Sequence, residues 1–371
     1  MKIRAAVSRE GQPYPLLETV ELDEPRPHEV LVRIVAAGIC HTDLRAHQGG
    51  ILPTPRPVVL GHEGAGIVER VGAAVTKLRS GDRVVLSGSS CGVCPSCLRA
   101  LPAYCDQGFP RIFSGRRMDG SSPLAQGGAA LNGSFFGQSS FAEYAIAEER
   151  TAVKVRSDVS LELLGPLACG VITGAGAVLK SVQLHTGQNI AVFGVGGVGM
   201  SAVMAARLAG AHRIIAVDQS AERLEMALQL GATDLVRADD DTVKRILAIV
   251  PRGVDHTLNT TAAPAVFDQA IESLAPTGCA VFVTTPRGQW TPNMMRLLAG
   301  GKRLQGVQGG DADPQQFIPM LIDQWQAGRF PFDRMIKRYP FDEIGRAFAD
   351  CASGATVKPV LDISSPGQTR A

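Results

Sequence analysis

The sequence predicts an α/β protein of two domains, one rich in short β-strands and one built from parallel βαβ units. Three observations predict it. Residues 1 to about 165 are rich in Gly, Pro and Val and carry short alternating runs, Glu29–Val35 and Gly66–Val71 among them, separated by turn residues; this is the pattern of a small all-β barrel. From 171 to about 305, strand-like apolar runs alternate with longer helix-period segments, which implies parallel strands joined by crossovers. Finally, 371 residues is long for one core and comfortable for two.

In chain order, the second region reads as strand Ile190–Phe193, helix Gly199–Ala209, strand Arg213–Val217 and helix Ala221–Leu230, followed by strands at Val254–Asn259 and Cys279–Thr284. From about Leu304 the elements mix again, with a helix at 314–326 and a strand at 358–363. The expected division is therefore 1–170, 171–305 and a closing segment 306–371.

Charge and hydropathy exclude several classes of function. With a net charge of +2 and 19% charged residues, there is no basic stripe to bind nucleic acid by counterion release. No apolar run reaches the roughly 18–20 residues that span a bilayer. The start, Met1-Lys2-Ile3-Arg4, enters a strand-like segment without a signal-peptide core, so the cytoplasm is the expected compartment. In that compartment cysteines serve as thiolate ligands more often than as disulfides.

Four of them form a C-x2-C-x2-C-x7-C run, Cys91, Cys94, Cys97 and Cys105, inside a Gly/Ser-rich loop at about 88–108. Thiolates this close repel one another and oxidise readily unless a soft cation neutralises them, and tetrahedral Zn(II) is the usual outcome. Two adjacent disulfides and an iron–sulfur cluster are the rival readings. Ferredoxin-type runs close with three residues and a following proline, whereas seven residues intervene here.

The first strand of the second region ends in Gly194-Val-Gly196-Gly197-Val198-Gly199, which opens a helix. Glycines at these positions permit a tight turn and let the backbone approach a pyrophosphate, whose charge the helix N-terminus favours. Asp218 closes the next strand, nineteen residues beyond Gly199. A carboxylate there accepts from ribose hydroxyls and repels a 2′-phosphate, which favours NAD over NADP. Arg223 can also reach the ribose, or simply be a solvated helix charge.

Three further segments hold metal-type side chains: Cys40-His41-Thr42-Asp43, Gly61-His62-Glu63-Gly64 and Cys169. Together they supply two thiolates and one imidazole, the three protein ligands of a zinc site that keeps a fourth position open. Cys279 and Cys351 lie in apolar or helical contexts and read as core.

The chain resembles the zinc-dependent alcohol dehydrogenases of the medium-chain dehydrogenase/reductase superfamily over nearly its whole length. The resemblance rests on Gly38-Ile-Cys40-His-Thr42-Asp43, Gly61-His62-Glu63-Gly-Ala-Gly66-Ile-Val, the four-cysteine lobe, Cys169-Gly-Val-Ile-Thr173-Gly and the glycine fingerprint. It implies a GroES-like β-rich catalytic domain interrupted by a Rossmann domain with a doubly wound parallel sheet. It also implies two zinc ions per chain: a catalytic one held by Cys40, His62 and Cys169 with Glu63 near it, and a structural one in the lobe. Asp43 would orient His62, and Thr42 would take the alcohol proton. His41 and Lys358 would contact the cofactor pyrophosphate, and Thr173 and Val198 would pack against the nicotinamide. Small-molecule alcohols are the implied partners, in a homodimer or homotetramer.

The chain departs from the best-known members where they carry a histidine at the outer end of the proton relay. Arg45 stands there, and a guanidinium is no base near neutral pH; His47 or water is left for that task. By the same resemblance Ile51, Ser87, Phe135 and Val307 line the substrate pocket. A serine at 87 leaves room near the metal. The segment Phe135–Phe141 and the lobe sequence resemble bacterial aryl- or benzyl-alcohol dehydrogenases, so an aryl or allylic primary alcohol is expected. The nearest rival, the glutathione-dependent formaldehyde dehydrogenase branch, places charged residues where this chain has Phe109 and Ile51, although Arg111 is close by. A zinc-ribbon binding module is the rival from another class.

Overall fold

The computed structural model describes residues 1–49 and 54–363; the expected pocket residue Ile51 lies outside the described residues. The chain divides into two units. One holds Met1–Cys169, Asp313–Leu321 and the chain from Asp333 onward; the other holds Gly170–Ala312 and Ile322–Phe332.

In the first unit, β1 (Lys2–Ser8), β2 (Leu16–Leu22), β3 (Glu29–Gly38), α1 (His41–Gln48), β4 (Val58–Val59), β5 (Gly64–Val71) and β6 (Arg83–Leu86) come first. The cysteine lobe follows with two short helices, α2 (Pro95–Leu98) and α3 (Gly108–Phe113). Then come β7 (Leu124–Gln126), β8 (Ala129–Leu131), β9 (Tyr144–Glu148) and β10 (Ala152–Lys154). Two sheets result. One runs β4-β1-β2-β7-β8, and the other places β3 at its centre, between β5 on one side and β9 with a C-terminal strand on the other.

Strand β3 also differs from the sequence reading. The run Glu29–Val35 was expected to alternate between buried and exposed, yet in β3 only Arg33 escapes full burial. A strand covered on both faces has no solvated side and needs no alternation. Ile34, Leu31 and Val32 join Phe135, Phe141, Tyr339 and Phe348 in the core of this unit.

The second unit opens with α4 (Gly170–Gly176) and alternates β11 (Asn189–Phe193), α5 (Gly197–Leu208), β12 (Arg213–Asp218), α6 (Ala221–Leu230), β13 (Asp234–Arg237), α7 (Thr242–Ile249), β14 (Val254–Asn259), α8 (Pro264–Glu272), β15 (Leu274–Phe282), α9 (Met294–Gly300) and β16 (Arg303–Gly306). All six strands are parallel, in the order β13-β12-β11-β14-β15-β16. Counted from its first strand this is 3-2-1-4-5-6, the doubly wound dinucleotide-binding order. The unit runs past residue 305 because β16 is its sixth strand and Gly310 then packs against Gly176.

Helix α10 (Pro314–Gln326) is followed by β17 (Ile336–Pro340), α11 (Ile344–Ser353) and β18 (Lys358–Asp362). Strand β18 pairs with β17 in parallel and with β3 antiparallel, so the closing segment completes the first unit's larger sheet. Among the described residues no helix is long and apolar enough to cross a membrane.

Candidate active site

Three segments of the first unit converge where β3 ends. Cys40 is the N-cap of α1 and Asp43 the third residue of its first turn. Asp43, fully buried, uses both oxygens. Oδ2 accepts the Cys40 backbone N–H at 3.0 Å, and Oδ1 accepts the Gly61 N–H at 3.1 Å and His62 Nδ1–H at 2.9 Å. Gly61 has φ +93°, and a Cβ there would lie 2.5 Å from the Phe141 nitrogen. Only glycine fits both demands, and the resulting turn delivers His62 to Asp43.

Because a carboxylate can only accept, Nδ1 carries a proton, which leaves Nε2 as the ring atom that can turn to a metal. Nε2 lies 3.2 Å from Cys169 Sγ, which lies 4.0 Å from Cys40 Sγ. Ligand atoms of Cys40, His62, Glu63 and Cys169 all fall within 4.8 Å of one another. Zinc–sulfur bonds of 2.3 Å in a tetrahedron set sulfurs about 3.8 Å apart, so the donor set and its spacing fit zinc. The hydrogen bond from Cys169 outweighs burial and holds Cys40 well below the usual thiol range, while the same bond and burial push Cys169 well above it. The pair therefore offers one thiolate readily and shares one proton.

Glu63 is fully buried, and burial raises its pKa despite a facing ammonium. That ammonium is Lys358, only 4% exposed, with Nζ 2.9 Å from each Glu63 oxygen and 3.3 Å from the Ile39 carbonyl. The resemblance put Lys358 on the cofactor pyrophosphate; its immediate partner here is Glu63.

Thr42 is half-buried, its Oγ1 3.8 Å from Cys40 Sγ, while His41 and Arg45 are exposed. His47 is not an outer relay base. It is buried, its Nε2 donates to the Gln12 carbonyl at 3.0 Å, and its Nδ1 accepts from Ser8 Oγ at 2.7 Å. Both nitrogens are occupied, and burial lowers its pKa.

In the lobe, all eight cysteines of the chain being free of disulfides, Cys91, Cys94, Cys97 and Cys105 bring their sulfurs within 4.8 Å of one another. Backbone N–H groups aim at the sulfurs: Cys94 N to Cys91 Sγ at 3.2 Å, Cys91 N to Cys105 Sγ at 3.0 Å and Gln107 N to Cys105 Sγ at 3.4 Å. Such bonds favour thiolates. Donation from the Asp106 and Cys97 backbones takes Cys94 down to about 6. This donor set also fits tetrahedral zinc.

In the second unit, β11 turns into α5 through Gly194, whose φ is +83° and whose Cβ would strike Thr260 Oγ1 at 2.5 Å. A Cβ on Gly199 would meet the Gly194 carbonyl at 2.0 Å, whereas one on Gly196 would meet nothing within 4 Å. The strand–helix contact is thus closed and the space over Gly196 open, a cradle that fits a pyrophosphate at the N-terminus of α5, which begins at Gly197. Asp218 Oδ2 accepts the Val195 N–H at 2.9 Å and Oδ1 the Ser220 N–H at 3.0 Å. Ser220, rather than Asp218, caps α6 by accepting from the Arg223 N–H. Gly174 packs against the Val198 carbonyl, which brings α4, the helix that carries Thr173, against α5, the helix that carries Val198.

Of the expected pocket residues, Ser87 is buried and donates to the Thr151 carbonyl at 3.0 Å, Phe135 is wholly buried, and Val307 is 7% exposed within the second unit. The half-buried aromatic at this point is Phe136, which the sequence reading passed over; its ring stacks on His62 at 4.4 Å. Gln138, also missed, is 1% exposed and bonds the His62 carbonyl. Arg111 is committed to Glu148 at 2.9 Å, and Phe109 is 63% exposed.

Residues 26–157 match the family model described as an alcohol dehydrogenase GroES-like domain, and residues 197–324 that of a zinc-binding dehydrogenase. A geraniol dehydrogenase from Castellaniella defragrans is 45% identical over 96% of this chain and 97% of its own. The crystal structure of an alcohol dehydrogenase zinc-binding domain protein from Burkholderia ambifaria matches with TM-score 0.96 and 47% identity, over 98% of this chain and all of that one. Benzyl alcohol dehydrogenase from Acinetobacter calcoaceticus matches with TM-score 0.94 and 42% identity, again over 98% and 100%. With the two donor clusters and the parallel sheet, these relations establish that the chain belongs to the zinc-type alcohol dehydrogenases of the medium-chain dehydrogenase/reductase superfamily.

Proposed function

We propose that this alcohol dehydrogenase oxidises aryl or allylic primary alcohols to aldehydes with NAD, using two zinc ions per chain. Cys40, His62 and Cys169 hold the catalytic ion with Glu63 beside it, and Cys91, Cys94, Cys97 and Cys105 hold the structural one. The observation that carries the reading is the buried convergence of two thiols on an imidazole braced by Asp43. Relatives named for geraniol and benzyl alcohol support the substrate class. So does the aromatic wall beside His62, where Phe135, Phe136 and Phe113 pack edge to face.

When bound, zinc supplies a Lewis acid that lowers the pKa of an alcohol, and the nicotinamide supplies the hydride acceptor. The remaining work falls to the chain. Asp43 orients the His62 ring, and Lys358 neutralises the buried Glu63 carboxylate. Thr42 Oγ1 receives the substrate proton and passes it outward to solvent, since His47 is occupied and Arg45 cannot accept it. Asp218 retains a lone pair on each oxygen for the ribose hydroxyls, with Arg223 beside it. His41 and the turn from Gly194 through Gly196 and Gly197 to Gly199 take the pyrophosphate, and Thr173 and Val198 flank the nicotinamide.

The formaldehyde-dehydrogenase rival needs a free arginine for a substrate carboxylate, and Arg111 is spent on Glu148. Free thiols throughout suit a reducing cytoplasm. A homo-oligomer, dimer or tetramer, is supported by the second unit, where β16 is an open sheet edge and α9 exposes Met294, Met295 and Leu298.

An alcohol panel with NAD and NADP, paired with a metal count, tests the reading. The expected result is two zinc ions per chain, NAD preference and the highest kcat/KM for benzyl, cinnamyl or geranyl alcohol. A higher value for ethanol overturns the substrate class; one zinc ion or NADP preference overturns the corresponding part.

A further inference from the structure

The geometry points to the segment Ser134–Ser139 as a positioning device for the His62 imidazole, with Phe136 holding the plane of the ring. The inference rests on the reading of His62 as a metal ligand. A hydrogen bond from Nδ1 to Asp43 anchors one atom of the imidazole but leaves the ring free to tilt about that anchor. Phe136 removes that freedom: its ring lies nearly parallel to the imidazole, 4.4 Å away at 28°. Phe135 closes a second side edge-on, at 5.9 Å and 81°.

The backbone takes a costly conformation to achieve this. Phe136 has φ +54° and ψ +20°, the left-handed region that a bulky aromatic enters only when its surroundings over-determine it. Those surroundings are visible. Ser139, itself at φ +52°, donates through Oγ to the Val59 carbonyl at 2.6 Å and accepts the Phe135 N–H at 2.8 Å. Gln138 Nε2 donates to the carbonyls of His62 at 3.1 Å and Leu86 at 3.0 Å, while its Oε1 accepts the Gly64 N–H at 3.1 Å. One side chain thus grips the main chain on both sides of Glu63, and the neighbouring ring covers the imidazole. Phe136 is a positioning residue, acting on the metal through His62.

The test is zinc release from the holoenzyme to a chromophoric chelator, which resolves one phase for the lobe and one for the His62 site. Phe136→Leu keeps an apolar side chain but no ring, and is expected to speed the His62 phase about tenfold, as loss of a ligand-orienting contact does, with the lobe phase unchanged. Phe136→Tyr restores the stack and is expected to stay within about twofold of the parent. Unchanged release from Phe136→Leu, or equal acceleration of both phases, overturns the positioning role. His62→Ala separates the two failures: if it keeps the parent's metal count, the metal-ligand reading is what falls.

Discussion

Replacing Lys358 with methionine isolates the buried ion pair behind the active site. The ammonium lies 2.9 Å from each oxygen of Glu63, and neither residue reaches solvent appreciably. Methionine fills similar volume without charge, leaving a carboxylate uncompensated, which ordinarily costs about 3–5 kcal/mol. Glu63 can limit the loss by taking a proton. From its ordinary value of 4.5, holding that proton at pH 7 costs at most about 3.4 kcal/mol, at about 1.36 kcal/mol per pH unit. A carboxyl whose folded pKa is raised contributes stability that is complete below its unfolded pKa and declines as pH rises through the folded one. Because the parent's own Glu63 is also raised and shares part of this pH dependence, the variant's deficit is expected to be at most about 3 kcal/mol at pH 7, at most about 1.4 at pH 5.5 and negligible near 4.5. Urea unfolding of the parent, Lys358→Met and the double variant with Glu63→Gln measures this directly, the double variant recovering most of the loss. A deficit that is the same at pH 7 and pH 5.5 would refute the reasoning.

Three further outcomes are expected. Cys94→Ser should lose one zinc ion per chain and lower the midpoint of thermal unfolding while leaving NAD binding intact; metal analysis and cofactor titration decide it, and an unchanged metal count would remove the lobe from the account. Asp218→Gly withdraws the charge that repels a 2′-phosphate and should raise the ratio of kcat/KM with NADP to that with NAD at least tenfold; no change would mean that Asp218 serves only Val195 and Ser220. His256 is buried with no hydrogen-bond partner for either ring nitrogen among the described residues. Burial lowers its pKa, with Arg303 adding to the effect against Asp255. Because the folded state keeps it neutral, its contribution is present above the unfolded value of 6.5 and lost as pH falls below that. His256→Leu should flatten the acid side of the Tm–pH curve below 6.5, and an unaltered slope contradicts this.

What the sequence could convey depended on whether a residue's task is written in its own backbone. The turn from Gly194 to Gly199 was legible because absent side chains at fixed spacing describe a chain path. The convergence of Cys40, His62 and Cys169, with Asp43 bracing the imidazole, was legible because metal chemistry restricts residue type so strongly. Lys358 was not legible: alone it reads as a solvated charge, and nothing near it announces a carboxylate almost three hundred residues earlier, in the turn just before β5. His47 read as a spare base because its partner, Ser8, sits on β1. Phe136 went unremarked beside Phe135, since a left-handed backbone leaves no mark in a pair of identical letters. The smooth apolar burial of β3 was hidden for a related reason, the turns Leu161–Leu163 and Gly165–Ala168 that pack against it lying far along the chain.

Asp43 does two jobs with one carboxylate, closing the first turn of α1 through Cys40 and holding His62 upright. The interval from 40 to 43 is consequently locked in length: a single inserted or deleted residue would unseat the helix start and the imidazole together. Its two inner positions are not locked. His41 faces outward and Thr42 stands only half-covered, so their identities can drift without disturbing the frame. Variation among enzymes built this way should therefore gather at those two letters, altering how protons and phosphates are handled while the scaffold around them stays put.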